Sequence, residues 1–153
     1  VSRQKNHEFR NYRLRDGVTR LWLYETGDGG RGRASITCVE FYESRSSIFT
    51  IHMLNSPRHI AVIPASVRHT PGYVPVEPFG IGNAEFNAGI KESKYGYPVQ
   101  ELYELVQPVT LAEMKSQWGL GGAPMGWRYV ERDLWEDRWG GNEGRAEKIR
   151  RVF

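Results

Sequence analysis

Short runs of β-forming residues, each closed off by glycine, proline or aspartate, set the terms for any fold this chain can adopt. The clearest is Val18–Thr26 (V-T-R-L-W-L-Y-E-T), which alternates and is rich in branched and aromatic residues. A side-chain period of two predicts a strand. Gly27-Asp28-Gly29-Gly30 then reads as a turn. Ala34–Tyr42 predicts a second strand. Its apolar positions begin at Ala34, Ile36 and Cys38 and switch to Val39 and Phe41, which predicts a bulge or burial on both faces. Ile48–Leu54 predicts a third strand, and His59–Val67 a fourth interrupted by Pro64. Thr70–Gly80 carries Pro71, Pro75 and Pro78 and predicts a loop. Asn83–Lys91 predicts a short helix capped by Asn83. Tyr97–Val106 alternates again and predicts a strand. Thr110-Leu111-Ala112-Glu113 is a capping box that opens a helix ending at Gly119. Trp127–Val130 predicts a last strand. Leu134–Trp139 and Glu143–Val152 predict helical tail pieces, separated by Gly140-Gly141.

Five or six short strands with few helices fit a small, partly closed barrel of the α+β class. The 153 residues suit one domain. Apolar residues at 39% and charged residues at 25% give a globular rather than a disordered balance. The longest apolar runs, such as Ile60–Pro64, are too short to span a bilayer. No charged-then-apolar leader is read, so a cytoplasmic or nuclear location is the expectation.

Several chemistries are disfavoured by residue type and spacing. Cys38 is the single cysteine, which excludes an internal disulfide and any multi-cysteine zinc site. Set mid-strand among apolar neighbours, it reads as a core residue rather than a nucleophile. His7, His52, His59 and His69 include no i,i+4 pair, and H-E-x-x-H is absent, so no metal and no other cofactor is expected. The Gly-rich stretch Gly27–Gly32 lacks a following Gly-Lys-Ser/Thr and reads as a hairpin turn, not a phosphate cradle.

The net charge of +3 hides an asymmetry. Residues 1–20 hold six cations against Glu8 and Asp16. At the other end Arg145, Lys148, Arg150 and Arg151 cluster. Basic termini around a slightly acidic middle are able to attract a polyanion by counterion release. Within the first segment, an extended chain puts Lys5, His7 and Phe9 on one side and Asn6, Glu8 and Arg10 on the other. A Glu and an Arg side by side form a bidentate pair that fixes the guanidinium. Tyr12, Trp22 and Tyr24 supply aromatic surface nearby, the ingredient for stacking on exposed bases.

Lys5, Glu8 and Arg10, followed by a strand ending in Tyr24 and Thr26, resemble the Lys-x-x-Glu-x-Arg opening of ASCH-type domains. These belong to the PUA-like superfamily with the EVE and YTH domains. The second half is similar to a group of mostly fungal PUA-like proteins. The matching stretch runs Gly80-Ile81-Gly82-Asn83-Ala84-Glu85-Phe86-Asn87-Ala88-Gly89, then Lys91, Lys94-Tyr95-Gly96-Tyr97 and Leu102-Tyr103-Glu104-Leu105. The resemblance implies a PUA-like domain over residues 1–131, a mixed barrel of five or six strands. Residues 132–153 are then a basic helical extension packed on it.

It further implies a cationic, aromatic cleft that binds RNA or another single strand, including one modified base. On this reading Lys5 and Arg10 contact phosphate or a base edge, Glu8 orients Arg10, and Tyr24 stacks, with Tyr12 and Thr26 alongside. Asn83 and Asn87 read a base edge, and Lys91 and Lys94 contact the backbone. The structural alternative is that Asn83 only caps its helix and Phe86 only fills the core. Some ASCH-type relatives are ribonucleases or nucleoside amidohydrolases; the amidohydrolase Lys matches Lys5, while Glu8 stands where that type has Thr, and a hydrolase here would use Lys5 and Glu8 as its catalytic base and acid. Against that, an i,i+3 pair on an extended strand points to opposite faces. A third reading is a protein partner docked on exposed Trp118, Trp127, Trp135 and Trp139.

Overall fold

The computed structural model describes residues 5–26, 39–42, 46–51, 55–119, 126–141 and 144–153. For residues 24–26, 39–42, 46–51, 55–58, 111 and 126–129 the description is of the backbone. The chain is α+β. Strands β2 (Arg20–Thr26), β5 (Asn55–Val62), β7 (Glu101–Leu105) and β9 (Ile149–Arg151) form an antiparallel sheet in the order β2-β5-β7-β9. A second sheet joins β3 (Val39–Tyr42), β4 (Ser46–Ile51) and β8 (Gly126–Tyr129). A third is the pair β1 (His7–Arg10) and β6 (Tyr95–Pro98). Among the described residues no sheet closes into a ring. The helices are α1 (Asn83–Asn87), α2 (Leu111–Ser116), α3 (Arg132–Arg138) and α4 (Arg145–Lys148). None of them is long and apolar enough to cross a membrane.

The β2–β5 pair is buried on both faces, which explains its continuous Leu21-Trp22-Leu23 run. Trp22 lies opposite Ile60, and both join a core with Leu105, Val109, Met114 and Leu134. Leu21 lies opposite Ala61, and both join a second core with Leu14, Val18, Tyr97 and Leu102. The register shifts between Leu23 and Tyr24, where β5 carries Pro57, a residue without an N–H to donate. The bulge predicted for Ala34–Tyr42 and the turn at residues 27–30 lie outside the described residues, as does Cys38.

Tyr97–Val106 is two strands rather than one. β6 pairs with β1, β7 pairs with β5, and Val99 and Gln100 pass the chain between sheets by donating to the carbonyls of Asn6 and Val62. The capping box forms as predicted. Thr110 Oγ1 accepts the Glu113 N–H at 3.1 Å and Glu113 Oε2 accepts the Thr110 N–H at 2.9 Å. Those Thr110 bonds lead the causes that hold the Glu113 carboxyl below its ordinary range, with buried Arg138 of α3 adding to them.

The tail corrects two expectations. Glu143–Val152 is not one helix: α4 gives way to β9, which hydrogen-bonds to β7. Ile149 enters the core opposite Leu105, Arg150 pairs with Glu104, and Arg151 meets Glu101 at 3.0 Å. Partners distant in sequence thus outweigh the local helical pattern. Lys148 Nζ donates to the Glu136 carbonyl at 2.7 Å, and the Arg145 guanidinium sits 5.1 Å from the Trp139 ring. The terminal cations therefore serve the chain itself. Nor are the tryptophans an exposed set: Trp139 is in the core, and Trp118 and Trp135 pack partly buried against it. The Trp127 side chain lies outside the described residues.

Candidate functional site

β1 and α1 meet through aromatic side chains, and this contact organises the surroundings. Period-two alternation along β1 puts His7 and Phe9 on one face, their rings stacked with centroids 6.1 Å apart. Phe9 packs on Phe86 of α1 at 4.5 Å. Gly96 of β6 allows this close approach, because a Cβ there would lie 3.2 Å from Phe9 and 3.4 Å from Phe86. His69 reaches the same cluster through a β-bridge to Gly96 and stands edge-on to His7 at 5.3 Å. Lys91 Nζ lies 5.4 Å from the centre of the Phe9 ring. Its stem would strike any Cβ on Gly82, at 2.8 Å.

The opposite face of β1 carries a charge triplet. Glu8, only 3% exposed, receives Lys5 Nζ on Oε2 at 2.5 Å and Arg10 NH2 on Oε1 at 2.6 Å. Glu8 thus positions Arg10, as expected. Lys5 precedes the strand rather than extending it, so the alternation rule does not apply to it, and it does meet Glu8. The expectation that Lys5 and Glu8 point apart is overturned for that reason.

Asn83 does not cap α1. Gly82 is the N-cap, in a left-handed conformation with φ 86°, and no side chain caps the helix. Phe86 is fully buried, and a residue three positions earlier lies on the same helix face, so Asn83 turns inward with it. At 5% exposure, Asn83 has no hydrogen-bond partner for Nδ2 or Oδ1 among the described residues. Asn87 behaves oppositely. Its Oδ1 accepts the Val74 N–H at 3.0 Å and its Nδ2 donates to the Val74 carbonyl at 2.8 Å. Asn87 is therefore a clamp on the 70–81 loop, which exposes Tyr73, Val76, Phe79 and Ile81.

No family model, curated protein or solved structure matches the chain.

The other sequence-selected residues distribute as follows. Tyr12 is half-buried, and its carbonyl accepts from the Tyr97 hydroxyl at 3.1 Å. Lys94 is exposed, with its N–H donating to the Arg10 carbonyl at 2.9 Å. The backbones of Tyr24 and Thr26 belong to β2, in a different sheet from β1, and their side chains lie outside the described residues. Lys5, Glu8 and Arg10 are thus brought together on one face of β1, and Lys91 borders the ring cluster on the other. Asn6 Nδ2 donates to the Pro78 carbonyl at 2.7 Å and its Oδ1 lies 2.9 Å from His7 Nδ1; sequence reasoning missed this relay, the place of His69 and the Phe9–Phe86 contact. Their partners are far away along the chain, and nothing local marks them. Among the described residues no three His, Cys, Asp or Glu side chains gather as a metal site would require.

Proposed function

We propose that the chain is a PUA-like domain, its strands forming a partly closed barrel, that binds RNA or another single strand along β1, α1 and the 70–81 loop. The observation that carries this reading is the Asn83 amide. Among the described residues it is buried without a partner, and a buried donor and acceptor left unpaired each disfavour the free state by about 1–3 kcal/mol. A nucleobase edge supplies both missing bonds at once, and an Asn amide is geometrically suited to read one. Phe86 follows on the same helix and packs on Phe9, and Tyr73 and Phe79 offer exposed rings for neighbouring bases. Lys5, Arg10, Lys91 and Lys94 then face phosphates. Tyr24 keeps the stacking role that the resemblance gives it, with Thr26 alongside, and the cytoplasm or nucleus is the setting.

The test is fluorescence anisotropy with a labelled 12-mer of single-stranded RNA, across a range of salt concentrations. Four cations on phosphates give a slope of log affinity against log salt of about −3. Arg10→Ala and Lys91→Ala should each flatten that slope while leaving the fold intact. Absence of any binding at low salt would sink the reading.

One observation favours a second reading, an ASCH-type hydrolase acting in the same place. Lys5 Nζ and Glu8 Oε2 are within the roughly 3 Å that proton exchange requires. Time-dependent cleavage of RNA or of an acylated nucleoside, abolished in Lys5→Ala, would establish it. Binding without turnover would dismiss it.

A further inference from the structure

One buried ring touches both ends of the 70–81 loop. His7 is 6% exposed. On one side it meets His69, the residue just before the loop, edge-on at 5.3 Å. His69 is tied down by a pair of backbone bonds with Gly96, each 2.8 Å. On the other side His7 reaches the far end of the loop through Asn6. Asn6 Oδ1 lies 2.9 Å from His7 Nδ1. An amide oxygen only accepts, so Nδ1 carries the hydrogen and donates it. Asn6 Nδ2 donates in turn to the Pro78 carbonyl at 2.7 Å. Gly80 makes room for this amide, since a Cβ there would collide with Asn6 Oδ1. Between the two ends the loop exposes Tyr73, Val76 and Phe79.

This seat suits only a neutral ring. With its hydrogen on Nδ1, a neutral imidazole has a bare Nε2, and that atom is buried with no hydrogen-bond partner among the described residues. Protonation would put an N–H there with nothing to accept it, and a charge out of reach of water. Burial first, and His69 second, accordingly lower the His7 pKa to about 4. The charged groups on the surrounding elements are engaged elsewhere. Glu8 and Arg10 pair on the opposite face of β1, and Lys5 bonds Glu8. β6 sets Pro98 and Gly96 across from His7 and Phe9. Lys91, beyond α1, reaches the Phe9 ring, and Glu85 of α1 is exposed. Arg68 bonds Asp16 and the Leu14 carbonyl, and the loop's Glu77 accepts the Phe79 N–H. We infer that His7 is an acid latch: the neutral ring seats both ends of the 70–81 loop, and its protonation releases them together. The latch stands whether or not this surface binds a nucleic acid. An open loop exposes the ring, whose pKa then returns to the ordinary 6.5, so a falling pH favours the open state. Opening is unaffected well above pH 6.5 and becomes about 20-fold more favourable between pH 7 and pH 5.

The experiment is NMR on the full chain, free of any ligand. Amide hydrogen exchange of His69 and Gly96 reports the near end of the loop. Ile63, whose N–H donates to the Thr19 carbonyl at 2.9 Å, reports the core. After correction for the intrinsic pH dependence of exchange, protection of His69 and Gly96 should fall about 20-fold from pH 7 to pH 5. Ile63 should stay at least about tenfold better protected throughout, the mark of a local opening. Nitrogen-15 shifts of the His7 ring should titrate with a midpoint of about 4. In His69→Phe that midpoint should rise, because burial remains and the neighbouring charge is gone. In His7→Phe, which keeps a ring in the cluster and takes up no proton, the fall in protection should vanish. A His7 midpoint near 6.5 in the unsubstituted chain would overturn the latch. So would bridge amides whose protection is constant with pH or equal to that of Ile63, or a fall that persists in His7→Phe. The decisive readings are made on the unsubstituted chain, so a variant that fails to fold leaves them standing.

Discussion

Replacing Asn83 by leucine should make the protein more stable and unable to bind. Two polar atoms of Asn83 are buried without partners among the described residues, one turn before buried Phe86 on the same helix. Leaving each unpaired costs about 1–3 kcal/mol, and an apolar side chain of similar size removes that cost. Leucine also has the better helix propensity, by a few tenths of a kcal/mol. Imperfect shape match returns up to about 1.5 kcal/mol. At the low end of these terms the net is a gain of about 1 kcal/mol, or roughly 2–4 °C in Tm for a domain of this size. The assay is urea unfolding followed by the fluorescence of buried Trp22 and Trp139, beside RNA anisotropy on the same sample. Asn87, one helical turn away, is the internal control. Both of its amide atoms are bonded to Val74, so Asn87→Leu should lose about 2–3 kcal/mol. If Asn83→Leu instead unfolds more easily by 1 kcal/mol or more (about one lost hydrogen bond) and still binds RNA, the amide is a structural group satisfied in solution, and the reasoning fails.

Three further expectations concern stability. His7 has a folded pKa of about 4 against an ordinary 6.5, so the unfolded chain takes up this proton first as the pH falls. Its contribution is therefore constant above about 6.5 and declines between there and about 4, by on the order of 2–3 kcal/mol; the difference between wild type and His7→Phe across that window isolates it. Glu8→Gln leaves Arg10 and Lys5 facing a neutral amide and should cost about 2 kcal/mol by urea unfolding, a value held down by the partial exposure of Lys5. Thr110→Ala removes one side of the capping box and should cost about 1 kcal/mol in the same measurement, with RNA binding unchanged.

How legible each element was depends on where its partners lie. The capping box was readable because Thr110 and Glu113 satisfy each other within four residues. Glu8 beside Arg10 was readable for the same reason, through strand alternation. Lys5 was misjudged by extending that alternation beyond the strand. The role of Asn83 was not readable, since an Asn ahead of a short helix is an ordinary cap. The left-handed Gly82 and the burial of Phe86 took the capping position away from it. The C-terminal strand was hidden because its attraction is to Glu101, Glu104 and the open edge of β7, none of which a local window contains.

The chain's own order of residues determines the α+β class, most strand positions, the capped helix and the ion pair on β1, because those depend on interactions between near neighbours along the polypeptide. Only the tertiary structure decides which polar groups are left without partners. The Asn6 relay needs Pro78, the ring cluster needs Phe9 against Phe86, and the two-sided burial of β2 needs cores on both faces of its sheet. A side chain's hydrogen-bonding state is a property of everything packed around it, and that is settled by the fold as a whole.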